Sequence, residues 1–188
     1  MKRLLVLGAL IGALSLAGLA ASASSTNFAG TWVLDKGRSE SLPRQLERVQ
    51  SYTMLITQDG ERLTVENKIE SAPRADSAPD SSRGDRQGRR GGREGRGGRF
   101  GQPKATYTLD GKEQSVETPR GIFSIKALWK GDALELTETR NINREGNEMT
   151  VTTTDYWELA EGGKVLNVNR TINSPRGTQQ SKLTFNRQ

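Results

Sequence analysis

The alternation of apolar and polar residues, repeated in short runs from Phe28 to Phe185 with turn residues between the runs, limits this chain more than any other feature. A period of two puts successive side chains on opposite faces, the pattern of a strand with one buried face. The first run, Asn27 to Asp35, places Phe28, Trp32 and Leu34 on one face with Gly30 between them. Glycine there lets the chain bend or pack closely while the indole closes one end of a core. Tyr52, Met54 and Ile56 share the next face, Asp59-Gly60 turns the chain, and Leu63, Val65 and Ile69 follow. Further runs cover Thr106–Leu109, Ile122–Trp129, Leu134–Glu138, Met149–Leu159, Val165–Ile172 and Ser181–Phe185, each bounded by Gly, Asp or Asn. Ser41-Leu42-Pro43 can start one short helix running to Val49. The expected fold is all-β, a single antiparallel up-and-down β-barrel of about 8–10 strands, because closure is how a meander protects its edges.

Two segments do not fit this pattern. Met1-Lys2-Arg3, the apolar run Leu4–Ala20 and the small-x-small triplet Ala21-Ser22-Ala23 form a secretory signal peptide over residues 1–23. It leaves residues 24–188 as one barrel domain, periplasmic or secreted, with no membrane span. Residues 74–103 collapse into Ser, Asp, Pro, Arg and Gly, with too little apolar surface to offset their ordering entropy, so a disordered loop is expected.

These segments also carry the charge. The formal net charge is +6, yet Lys2, Arg3 and the seven arginines between Arg83 and Arg99, set against Asp85 and Glu94, more than account for it. The barrel itself is close to neutral, so its composition does not point to a nucleic-acid surface. The Arg83–Arg99 loop reads either as a solvated insertion or as a sticky cationic segment for an anionic envelope surface. Neither Cys nor His is present, which excludes disulfides, thiolate nucleophiles, Cys/His metal sites and histidine-based catalysis. No cofactor, metal or catalytic residue is assigned, and the chain does not read as an enzyme.

Several inward faces change character along their length. Leu134 and Leu136 are in phase with Glu138 and Arg140, Leu166 and Val168 with Arg170, and Trp157 with Asp155 and Thr153. In a closed barrel this gives an apolar floor beneath a polar cavity. Arg140 and Arg170 are the candidate anchors for an anionic head group, with Tyr52, Met54, Phe123 and Trp129 as the apolar lining. The competing expectation is that both arginines pair with Glu138 and Asp155 as structure, or that a bulge turns them to solvent. Trp32 reads as core.

On these residues the chain resembles a known group. Gly30-Thr31-Trp32 on a first strand is similar to the Gly-x-Trp signature of lipocalins and their calycin relatives, which include the fatty-acid-binding proteins. Gly-Thr-Trp-x-Leu-Asp, Trp157-Glu158-Leu159 and the run Gly162 to Arg170 resemble small exported bacterial lipocalin-like proteins of unassigned function. The resemblance implies a barrel that binds or carries a small molecule, apolar or an anionic amphiphile. It also implies a basic last-strand residue crossing the tryptophan, and Arg187 is the matching position. Thr154-Asp155-Tyr156 has the letters of another lipocalin motif but reads as strand, so that role is not carried over. Lipocalin and fatty-acid-binding-protein strand counts both stay open. The alternative function is an envelope interaction protein that works through the Arg/Gly-rich loop, with the barrel as scaffold.

Overall fold

The computed structural model describes residues 26–71, 103–118, 121–144 and 147–188. Residues 1–23, read from sequence as a signal peptide, and the Arg/Gly-rich segment as far as residue 102 lie outside the described residues. The chain forms ten strands: β1 (Gly30–Leu34), β2 (Val49–Gln58), β3 (Arg62–Ser71), β4 (Lys104–Thr108), β5 (Gln114–Thr118), β6 (Gly121–Lys130), β7 (Ala133–Arg144), β8 (Asn147–Ala160), β9 (Val165–Ser174) and β10 (Gly177–Arg187). Neighbours in sequence pair antiparallel, and β1 pairs with β10, giving the order β4-β3-β2-β1-β10-β9-β8-β7-β6-β5. The sheet curls into a nearly closed barrel, and the ladder stops only between β4 and β5. There β4 lies against β6, and the Thr108 amide donates to the Gln114 side chain at 2.9 Å rather than to a β5 carbonyl. The all-β up-and-down expectation holds, with ten strands.

The helix is shorter than its sequence signal. Helix α1 spans Arg44–Glu47, and Val49 already opens β2, where its branched side chain is buried against the barrel. Leu46 is the apolar residue of α1 that reaches the core.

The period-two faces are realised as one interior. Tyr52, Met54, Ile56, Leu63, Ile125, Leu134, Leu166, Val168, Leu183 and Phe185 are all buried. Trp32 is 0% exposed and closes the floor. Its indole Nε1 donates to the Phe28 carbonyl at 2.8 Å, and Phe28 meets Trp157 edge-on and stacks on Trp129.

Arg187 sits directly opposite Trp32 in the β1–β10 ladder, with its guanidinium carbon 4.6 Å from the indole centroid. The cation therefore covers the ring from the last strand, as the resemblance implied. Gly30 lies beside both, and a Cβ there would meet the guanidinium and the indole at an ordinary 3.6 Å. Its φ of +146° is what requires glycine, because side-chain-bearing residues rarely adopt it. A cation on an indole face contributes about 0.5–2 kcal/mol. In a double-mutant cycle of Trp32→Ala and Arg187→Ala, measured by urea denaturation, the coupling should fall in that range. Simple additivity would mean that the stacking contributes nothing.

Candidate functional site

The site follows from the direction of the strands. Along β7 the inward positions run Leu134, Leu136, Glu138, Arg140 and Ile142, from floor to rim. On β8 they run the other way, Val151, Thr153, Asp155 and Trp157, because the two strands are antiparallel. Apolar residues therefore meet at the floor, charged ones at mid-height, and Ile142, Val151 and Ile172 near the mouth. Between them lies a cavity of about 160 Å³, whose other walls include Tyr52 and Met54 of β2, Asn67 of β3 and Tyr107 of β4.

Both interior arginines are paired. Arg170 stands directly opposite Asp155 in the β8–β9 ladder and grips it with two parallel bonds, Nε to Oδ1 at 2.7 Å and Nη2 to Oδ2 at 2.6 Å. Each side chain is only 12% exposed. Burial works against the Arg170 charge, but the Asp155 carboxylate and a contact with Tyr52 outweigh it and hold the guanidinium even more firmly protonated than usual. Arg140 pairs with Glu138, two residues back on its own strand face, and its guanidinium lies 5.1 Å from the Phe123 ring centroid. Both arginines point inward, and both are neutralised there. Of the sequence alternatives the structural pair is the one realised, and the paired arginines lie on the cavity wall.

The sequence-selected residues separate accordingly. Tyr52, Met54, Arg140 and Arg170 come together around the cavity. Phe123 and Trp129 face inward but do not line it. Phe123 is capped by the Arg140 guanidinium, and Trp129 is committed to the Phe28 stack at the floor. Glu138 and Asp155 are each engaged by an arginine rather than by one another.

Asn67 and Tyr107 are lining residues that the sequence reading passed over. Their signal was present. Asn67 is in phase with Leu63, Val65 and Ile69, and a polar residue on an apolar face is what singled out Arg140 and Arg170. Tyr107 alternates with Thr106 and Thr108. Tyr52 donates to the Asn67 side-chain oxygen at 3.0 Å.

Burial raises both phenols above their ordinary range near 10. The charges of Glu138 and Asp155 add to the effect at Tyr107, and at Tyr52 Arg170 opposes it. The unfolded chain then releases these protons first as pH rises, so the stability they represent is complete below about pH 10 and declines above it. Urea midpoints should accordingly fall above pH 10, and Tyr52→Phe/Tyr107→Phe should weaken that alkaline slope. An unchanged slope would mean that the two phenols do not set it.

No protein family and no curated protein matches this chain. Two solved structures are similar. One is a secretary abundant heat soluble (SAHS) protein from Ramazzottius varieornatus, with 13% identity over 88% of this chain and 98% of that one and a TM-score of 0.47. The other is the zebrafish ileal bile acid-binding protein complexed with cholic acid, with 16% identity over 86% of this chain and 98% of that one and a TM-score of 0.46. The described residues form a ten-strand antiparallel up-and-down barrel, its first strand carrying Gly-x-Trp and its last an arginine over that tryptophan, as the sequence resemblance to lipocalins implied.

Proposed function

We propose that this protein binds a compact, uncharged small molecule inside the barrel and does so without catalysis. The observation that carries this reading is the cavity itself: open at its mouth, apolar at floor and rim, and lined by two arginines whose charges two carboxylates already cancel. A ligand carboxylate would add a third negative charge to two positive ones. It would also enter beside two carboxylates that are themselves largely buried, and the repulsion is costly there.

Size points the same way. Drug-sized pockets span roughly 300–1,000 Å³, whereas an apolar cavity of about 150 Å³ accepts benzene. At about 160 Å³ the space inside this one matches a single six-membered ring. The reading therefore favours a neutral compact ligand over the anionic amphiphile expected from sequence. Export to the periplasm or beyond is part of the proposal and rests on the leader sequence. The envelope alternative rests on the cationic segment. Ser71 and Lys104, which flank that segment, sit toward the mouth end of β3 and β4.

Titration of the purified protein with methylcyclohexane, cyclohexanol and dodecanoate tests the reading. The first two should raise the melting temperature with the logarithm of their concentration, and dodecanoate should not. A response to dodecanoate alone would restore the anionic amphiphile, and no response to any probe would overturn small-molecule binding.

A further inference from the structure

The cavity wall holds polar groups that the fold has already used and others that it has not. Asp155 spends both oxygens on Arg170, Glu138 accepts from Arg140, and the Asn67 oxygen accepts from Tyr52. Tyr107 is different. It is only 7% exposed and lines the cavity, yet among the described residues no hydrogen bond engages its hydroxyl. Trp157, 2% exposed and lower in the same cavity, likewise has an indole N–H without an acceptor. A buried polar group left without a partner is rare in folded proteins and costly, and the Trp157 N–H is one. The Tyr107 hydroxyl opens on the same cavity and is an unspent donor on its wall.

An indole N–H can only donate. The Tyr107 phenol can donate or accept, and burial together with the charges of Glu138 and Asp155 keeps on it the hydrogen it would donate. A carboxylate ligand would bring a further negative charge toward those two. A neutral oxygen acceptor brings none and answers the unspent donor. Resting on the binding reading above, we infer that Tyr107 is the specificity-determining residue of the cavity. It donates its hydroxyl hydrogen to a carbonyl or ether oxygen on a compact, ring-sized ligand whose apolar body packs against Met54, Val65, Leu136 and Trp157. The ligand class is thus a small neutral ketone, lactone, amide or cyclic ether, in preference to a hydrocarbon or an acid.

The test compares cyclohexanone with methylcyclohexane, which have the same number of non-hydrogen atoms, on the wild-type protein and on Tyr107→Phe. Titration calorimetry gives the affinities and circular dichroism checks the fold. Only the change produced by the substitution is compared, because the two probes differ in hydration before they bind. Tyr107→Phe should weaken cyclohexanone by about 3–10-fold, the equivalent of one neutral hydrogen bond, and leave methylcyclohexane within about twofold. Equal weakening of both probes would mean that Tyr107 only shapes the cavity, and no change in either would mean that the ketone oxygen does not reach it. Either result overturns the inference while leaving the binding reading intact. If neither probe binds the wild-type protein, both fall together.

Should Tyr107→Phe fail to fold, the infrared carbonyl stretch of cyclohexanone bound to the wild-type protein decides. A shift to lower wavenumber than in hexane is expected, and an unshifted band overturns the proposal.

Discussion

Trp32→Ala should destabilise the barrel by about 3–5 kcal/mol, the range for truncating a fully buried large aromatic. The tryptophan is completely enclosed, and three elements converge on it: the Phe28 carbonyl on its N–H, the Arg187 guanidinium on its face, and the opposing β2 and β10 ladders on its backbone. Removing the indole leaves a cavity at the floor, an unanswered Phe28 carbonyl and an arginine whose ring partner is gone. The floor cannot collapse to fill that space, because Phe28 is held by its contacts with Trp129 and Trp157 and its amide donates to the Gln58 side chain. Urea denaturation followed by far-UV circular dichroism measures the loss. A cost below about 1 kcal/mol would show that the floor relaxes freely and that the first strand does not anchor the barrel.

The second large effect belongs to the buried ion pair. Asp155→Ala should cost about 3–5 kcal/mol, because it leaves the Arg170 guanidinium buried without its carboxylate. Arg170→Leu should be similarly costly, for the mirror-image reason. Replacing both, Asp155→Val with Arg170→Leu, should come out near neutral or as a gain of about 1–4 kcal/mol, since apolar side chains of similar volume carry no desolvation penalty. The signature is therefore strong non-additivity, read from denaturation midpoints of the four proteins. If each single substitution were tolerated, water would reach the pair and the ion pair would not be buried as described above. If the double variant were as unstable as the singles, the pair would contribute geometry that apolar packing cannot replace.

The same two residues mark the boundary between what is local and what is not. That Arg170 faces inward was legible from its phase with Leu166 and Val168, because alternation is a property of one strand. That it meets Asp155, and with which atoms, depends on β8 and β9 aligning residue 155 with residue 170, and a slip of one position would turn one side chain outward. Phe123 and Trp129 show the same division. Their inward phase was correct, but whether an inward aromatic lines a cavity or is capped by another side chain depends on neighbours far away in sequence. Asn67 and Tyr107 were in phase as well, and nothing in their own strands distinguished a residue facing free space from one packed against a partner.

By itself, then, the sequence determined the all-β class, the strand faces, the helix start near Pro43 and the Trp32 core, and its family resemblance added the closing role of Arg187. Each of these follows from a period, a turn residue or a motif carried by contiguous residues. The tertiary structure alone decided the strand count of ten, the break between β4 and β5, the neutralisation of both arginines and the cavity of about 160 Å³. These are set by strand register and by the volume left after packing, and both are properties of the closed barrel rather than of any one strand.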